Sequence, residues 1–278
     1  MDYMKTDNKN TQYNLSPTFK VAQALFMSYS TLQSSNTLEN NLANILGPSL
    51  INAFNTENIR EIYNNIILKH YPNELSVKSN FINQVLLKPK NHVVIFEMPI
   101  NVSRVDLCEI NGYSTAFEIK TDLDNCLRLN KQLNDYFDVF EKVFVICSEN
   151  KLQEIELQIP SKCGIYVYSI SSRGNYKFQI YRRATISKRF NNRKQLNILR
   201  KKEIEKNFSV PQSSSKEDLI ISVLKKYSSA EINKLFKRVV KNRYQNQWEF
   251  LKNNKSQIFE IDYQWFFKNT INPALIYS

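Results

Sequence analysis

Asp106, Glu118 and Lys120 are the residues whose types and spacing suggest chemistry. Asp106 lies in the stretch S-R-V-D-L-C-E-I, and Glu118 and Lys120 lie in T-A-F-E-I-K just beyond it. Between them Asn111-Gly112 is a strong hairpin signal. Alternation along the two strands puts Asp106 and Cys108 on one face of the first, and Glu118 and Lys120 on one face of the second. A hairpin centred on Asn111-Gly112 sets Asp106 opposite Phe117 or Glu118, and a one-residue adjustment brings the two acids to one edge. Two carboxylates with the main-chain carbonyl of Ile119 suit Mg²⁺ or Mn²⁺, a hard cation that keeps several waters and shares its shell with phosphate. Such an ion polarises a phosphate and lowers the pKa of a bound water. Lys120 would position that water or neutralise developing charge. The same three residues also fit a solvent-facing ion pair on an alternating strand.

The elements that must hold these residues follow from periodicity. Ser16 caps a helix opening at Pro17, Thr37 and Asn40 begin a second, and Asn58 to His70 forms a third, ended by Tyr71-Pro72. A short helical piece covers Ser79 to Leu87. The period then changes to two. Strands are expected over His92 to Ile100, Arg104 to Ile110, Tyr113 to Lys120, Lys142 to Ser148, Gly164 to Ile170 and Tyr176 to Arg182. The apolar run K-V-F-V-I-C-S predicts a central strand. Between the third and fourth strands, Asp122 or Asp124 caps an amphipathic helix reaching about Phe140. It carries Arg128, Gln132 and Tyr136 in one row, a spacing suited to lining a groove and touching a phosphate backbone. Beyond Arg182 the chain reads as helical, with a linker over Val210 to Ser215 and a small helical tail whose aromatic residues (Trp248, Phe250, Trp265, Phe266) supply a core.

Composition narrows the classes. The 278 residues carry 38 Lys and Arg against 26 Asp and Glu, a net charge of +12. Residues 1–180 hold 17 basic and 18 acidic residues, so the whole excess lies in residues 181–278, with 21 and 8. Tyr181 to Val210 alone has ten basic and two acidic residues. A localised positive field favours polyanions through counterion release. Arg182, Arg183, Lys188, Arg189, Arg193, Lys194, Arg200, Lys201 and Lys202 are the candidate phosphate contacts there, with Arg104, Arg128 and Tyr136 nearer the acids. No apolar run long enough for a membrane span and no secretory leader is visible, which predicts a cytoplasmic protein. Four cysteines without a C-x-x-C pair are expected as buried reduced thiols, and they and two histidines give a zinc site little support. Four glycines, none in a phosphate-cradling pattern, exclude a nucleotide kinase or a dehydrogenase, and the absence of a Gly-x-Ser-x-Gly elbow excludes a serine hydrolase.

Together these residues resemble the PD-(D/E)XK nuclease superfamily over about Glu61 to Ile170. Asp106 matches the first acid, with Val105 in place of the nominal proline. Glu118-Ile119-Lys120 matches E-x-K, and Gln132 with Tyr136 resembles the Q-x-x-x-Y motif of the helicase-associated exonuclease branch. The wider string is most similar to an uncharacterised bacterial branch found in mobile elements and defence regions. It comprises Tyr71-Pro72, Glu97, Ser103 to Leu107, Glu118 to Lys120, Asp124, Arg128-Leu129, Gln132 and Tyr136 to Asp138.

The resemblance implies an α/β fold with a restriction-endonuclease-like core, a mixed central sheet flanked by helices, over residues 58–182. Residues 1–57 would form a helical segment before it and residues 183–278 a basic helical extension. It implies a Mg²⁺- or Mn²⁺-dependent nuclease acting on DNA, with RNA as a further possibility. The expected catalytic set is Asp106, Glu118, Lys120, Glu97 and Gln132, and the expected metal ligands are Asp106, Glu118, Ile119 and Glu97. In many members a glutamate on the first helix completes the site; Glu57, Glu61 and Glu74 are available for that, and Glu97 is preferred here. The cysteines are not clustered as an iron–sulfur site requires. Two other classes remain open: a nucleic-acid-binding module without catalysis, and a protein that docks a defence-system partner or a second copy of itself.

Overall fold

The computed structural model describes residues 16–47, 58–88 and 91–278. Its centre is a six-stranded mixed sheet in the order β1 to β6: β1 (Val93–Ile100), β2 (Ser103–Asn111), β3 (Tyr113–Lys120), β4 (Lys142–Ser148), β5 (Gly164–Ile170) and β6 (Tyr176–Arg182). β1, β2 and β3 form an antiparallel meander, β3, β4 and β5 run parallel, and β6 returns antiparallel to β5. β4 lies between β3 and β5, as its unbroken apolar run requires. Gly112 takes φ +70° at the β2–β3 turn, the conformation for which glycine is suited.

Helices cover the sheet. Among the described residues four precede it: α1 (Pro17–Ser28), α2 (Ser35–Leu46), α3 (Ile59–His70) and α4 (Glu74–Phe81), the last continuing into a π-helical turn over Ile82–Leu86. Ser16, Ser34, Asn58 and Asn73 cap them by accepting from backbone N–H groups of the first turn. α1, α2 and α3 pack around Leu25, Leu38, Leu42, Ile62, Tyr63 and Ile67, a second cluster that Ile261 and Phe259 also enter. α4 drives Phe81 against Phe117, Tyr166 and Phe178, which fixes it on one face of the sheet. Burying such a ring contributes about 2–3 kcal/mol. On β3 the next side chain, Glu118, points the other way, toward α5 (Leu129–Phe137), where Tyr136 meets it. α6 (Leu152–Gln158) joins β4 to β5.

The remaining helices are α7 (Asn192–Ile198), α8 (Lys201–Asn207), α9 (Lys216–Lys226), α10 (Ser229–Asn254), α11 (Tyr263–Asn269) and α12 (Pro273–Tyr277). They do not make a separate core around their own aromatics. Leu196, Ile204, Phe236, Trp248 and Phe266 belong to the same buried cluster as the strands, and Trp248 packs edge-on against His92 next to β1. A buried network also ties the two ends together: Tyr29, Thr31 and Tyr277 all donate to the Asp262 carboxylate, with Arg60 stacked over the Tyr277 ring.

Several expected elements differ: the second helix begins at Ser35, capped by Ser34, and the piece expected over Ser79 to Leu87 begins at Glu74 and ends in the π-helical turn. The helix after β3 begins at Leu129, because Asp124 accepts from the Thr121 N–H and hydroxyl and closes a turn instead of capping a helix. The basic stretch over Lys188 to Asn207 is two short helices separated at Leu199-Arg200, preceded by chain without regular structure. The four cysteines are buried and free. Among the described residues no helix is long and apolar enough to cross a membrane. The expected tail over residues 1–15, and Glu57, lie outside the described residues.

Candidate metal and nucleic-acid site

The site is built where both ladders of β2 lapse. Leu107 pairs with Phe96 on β1 and with Phe117 on β3, and the β1 ladder resumes at Met98 with Val105. By that register Asp106 stands between Glu97 and Glu118, one residue from the offset read from the hairpin alone. At this row the backbone pairing is replaced by a side chain: the Ile119 N–H donates to Asp106 Oδ2 at 2.6 Å. In a strand the carbonyl of a residue faces the same neighbour as its N–H, so the Ile119 carbonyl also faces Asp106. Glu97 is bent out of the regular strand at φ +52°, left-handed backbone that non-glycine residues seldom adopt.

Asp106, Glu118, Ile119, Lys120 and Gln132 line one cleft of about 430 Å³, together with Glu74, Asp124, Ser103, Val102, Arg104, Arg128 and Lys131. Glu118 is almost wholly buried and held at both oxygens: Lys120 Nζ donates to Oε1 at 2.7 Å and the Tyr136 hydroxyl lies 2.7 Å from Oε2. The Tyr136 hydroxyl is also 2.8 Å from the Arg104 carbonyl, and Lys120 Nζ is 3.4 Å from Gln132 Oε1. Glu74, Glu97 and Asp106 each bring a carboxylate oxygen within 4.8 Å of the other two; Glu118 is not part of that close trio.

The charges oppose one another. Burial pushes the Asp106 carboxyl well above the usual range, and the charges of Glu118 and Glu74 push it further, against Lys78 and the Ile119 N–H. Burial also raises Glu118, partly offset by Lys120 and Tyr136. Burial pulls the Lys120 ammonium down, but Glu118 outweighs it and the net shift is upward. Closely spaced oxygen donors that resist ionising together are a donor set that a hard divalent cation relieves.

The expected residues divide. Asp106, Glu118, Lys120 and Gln132 converge. Glu97 lies beside them, in the adjoining pocket with Glu74, Lys78 and Arg104, and its oxygens are engaged by Lys78 Nζ and, at 2.6 Å, by Arg104 Nε. Tyr136, expected on a phosphate backbone, is fully buried beneath Glu118, so its hydroxyl orients the acid instead. Arg104 and Arg128 lie on the rim, where most of the Arg104 side chain stays exposed.

Among the distal cations, Lys194 is held by Asp135 and Asp138, Arg193 by Glu217, and Arg182 by the carbonyls of Cys163 and Pro160. Arg183, Lys188, Arg189 and Arg200 are exposed. Glu74 was among the alternatives named for the third acid, and two contributors escaped the sequence reading. Lys131, one helical step before Gln132, carried no motif. Lys78 sits four residues after Glu74, a spacing indistinguishable from an ordinary surface pair.

A solved structure described as SPO1766 protein of unknown function from Silicibacter pomeroyi aligns with 38% of this chain and 68% of its own, at 18% identity and a TM-score of 0.29, too low for a structural argument. Protein cII of Enterobacteria phage P4 is 30% identical over 145 residues, which span 51% of this chain and 54% of that relative. The match thus covers about half of the curated relative's length. The family model for bacteriophage P4 protein cII matches residues 68–263, from the end of α3 through the sheet and the acid cleft to the start of α11. The chain belongs to the bacteriophage P4 protein cII family.

Proposed function

We propose that this phage-related protein is a metal-dependent nuclease of the PD-(D/E)XK type that hydrolyses DNA phosphodiester bonds in the cleft around Asp106. The observation that carries this reading is the convergence of Asp106, Glu118 and Lys120 on one cleft rimmed by Arg104, Arg128 and Lys131. The order of helices, a three-strand meander, a helix and a parallel strand agrees with such a core.

Asp106, Glu118 and the Ile119 carbonyl would hold Mg²⁺ or Mn²⁺, and Glu74, on the first turn of α4, replaces Glu97 as the third acid. A bound divalent ion supplies Lewis acidity and a water of lowered pKa. Lys120, steadied by Glu118 and Gln132, orients the attacking water and offsets charge developing on the phosphate. Tyr136 fixes the Glu118 carboxylate. Arg128 and Lys131 seat the flanking phosphates without reading sequence.

The test is a panel of linear, circular, single-stranded and branched DNA, with RNA alongside, incubated with Mg²⁺ or Mn²⁺. Cleavage that EDTA abolishes and Glu118→Ala removes is expected. EDTA-insensitive binding without cleavage would instead favour a catalytically silent DNA-binding module. Salt-insensitive self-association or partner binding without DNA affinity would favour a docking protein, since phosphate binding weakens steeply with salt.

A further inference from the structure

We propose that Lys78 is a resident cation that occupies the place a second divalent ion would take, so that the site admits one ion rather than two. The inference rests on the metal reading of the cleft and concerns how many ions it takes.

Glu74, Glu97 and Asp106 have the mutual spacing of a metal-binding trio. An ammonium already stands among them. Lys78 Nζ donates to Glu74 Oε1 at 2.8 Å and to Glu97 Oε1, and lies 3.3 Å from Gln264 Oε1. Its three donors therefore have three oxygen partners, as a buried ammonium needs. Lys78 is 4% exposed, comes from the helix that Phe81 anchors to the sheet, and feels the Asp106 charge as well. Arg104 Nε takes the other Glu97 oxygen. Glu97 is thus neutralised by two cations, from left-handed backbone.

The charge count points the same way. With every group ionised, the four carboxylates of Glu74, Glu97, Asp106 and Glu118 face three cations, Lys78, Lys120 and Arg104, leaving a net charge of −1. One divalent ion makes this +1, which suits an incoming phosphodiester. A second would make it +3, and the one further carboxylate lining the cleft, Asp124, is already engaged by the Thr121 N–H and hydroxyl. Oxygen donors remain for a single ion. Among the described residues Asp106 Oδ1 accepts no hydrogen bond, and Glu74 Oε2 is likewise unengaged.

The test counts bound Mn²⁺ by isothermal titration calorimetry and by electron paramagnetic resonance, on metal-free wild type and on Lys78→Met. Removing the ammonium frees the trio, so the variant is expected to bind one more ion per chain than wild type. A folded variant with no extra ion overturns the role of Lys78. The wild-type count separately tests the metal reading. One ion supports it, whereas none in wild type with one in the variant would refute that reading while sustaining the role of Lys78. Two ions in wild type overturn the proposal outright. Should Lys78→Met fail to fold, the Nζ signal of Lys78 in ¹⁵N-detected spectra of wild type decides. It should persist when Mg²⁺ is added, and its loss to rapid exchange as the ammonium is displaced would overturn the inference.

Discussion

Replacing Asp106 by asparagine separates the two roles a buried acid can have. Burial and the charges of Glu118 and Glu74 hold the Asp106 carboxyl above its ordinary range. An acid raised in this way opposes folding at neutral pH, by on the order of 1 kcal/mol for each tenfold change in proton affinity. Asparagine keeps the shape and an oxygen for the Ile119 N–H while dropping the charge. Metal-free Asp106→Asn is therefore expected to be at least as stable as wild type. At roughly 2–4 °C per kcal/mol for a chain of this size, its Tm should be equal or a few degrees higher. The response to metal should have the opposite sign. An ion at 100 times its Kd stabilises the folded state by about 2.7 kcal/mol, or roughly 5–10 °C on the same scale. The variant should lose most of that increment. Differential scanning calorimetry with and without Mn²⁺ reads both effects. A variant that melts well below wild type without metal, yet keeps the full increment, would refute the reasoning by showing Asp106 to be a structural acid.

Three further outcomes follow from the same geometry. Because Asp106 and Glu118 are both raised in the folded state, their contribution to stability is greatest below the ordinary carboxylate pKa and falls as pH rises through the raised values, while metal affinity rises over that same interval. The Mn²⁺-induced rise in Tm should thus be larger at pH 8 than at pH 5, and an equal rise would contradict the shifts. Tyr136→Phe removes a hydroxyl that serves the buried Glu118 carboxylate. It should cost about 1.5–3 kcal/mol in urea unfolding at pH 8, and a loss below ~0.5 kcal/mol would show the hydrogen bond to matter little. Arg128→Ala or Lys131→Ala should each lower the slope of log K against log salt for DNA binding by about 1. Lys194→Ala should leave that slope unchanged, because Asp135 and Asp138 already hold its ammonium.

Much of the site was legible because strands advertise themselves. Period-two alternation and Asn111-Gly112 located the β2–β3 hairpin, and two residues then fixed which acids could meet. The choice between Phe117 and Glu118 as the residue opposite Asp106 stayed open because it depends on how tightly Gly112 turns, at φ +70°, and the structure selects Glu118. Tyr136 was assigned to the right helix but to the wrong partner, since a tyrosine at the edge of an amphipathic stripe points inward or outward according to packing. The choice between Glu97 and Glu74 as third acid stayed open for a similar reason. Glu97 is nearer to Asp106 in sequence, but Lys78 and Arg104 claim it, and that contest is settled only when α4 docks through Phe81. The positive charge of the last third was plain in composition. Its division into paired residues such as Lys194 and exposed ones such as Lys188 depends on tertiary neighbours.

The most direct measurement is the single-turnover rate of DNA strand cleavage at saturating protein, with wild type and Asp106→Asn compared at matched DNA occupancy. Metal-dependent cleavage by wild type, slowed at least ~100-fold in the variant with DNA affinity retained, is the predicted result. Cutting by the variant at the wild-type rate, or inert wild-type protein on every form of DNA with either metal, would contradict it.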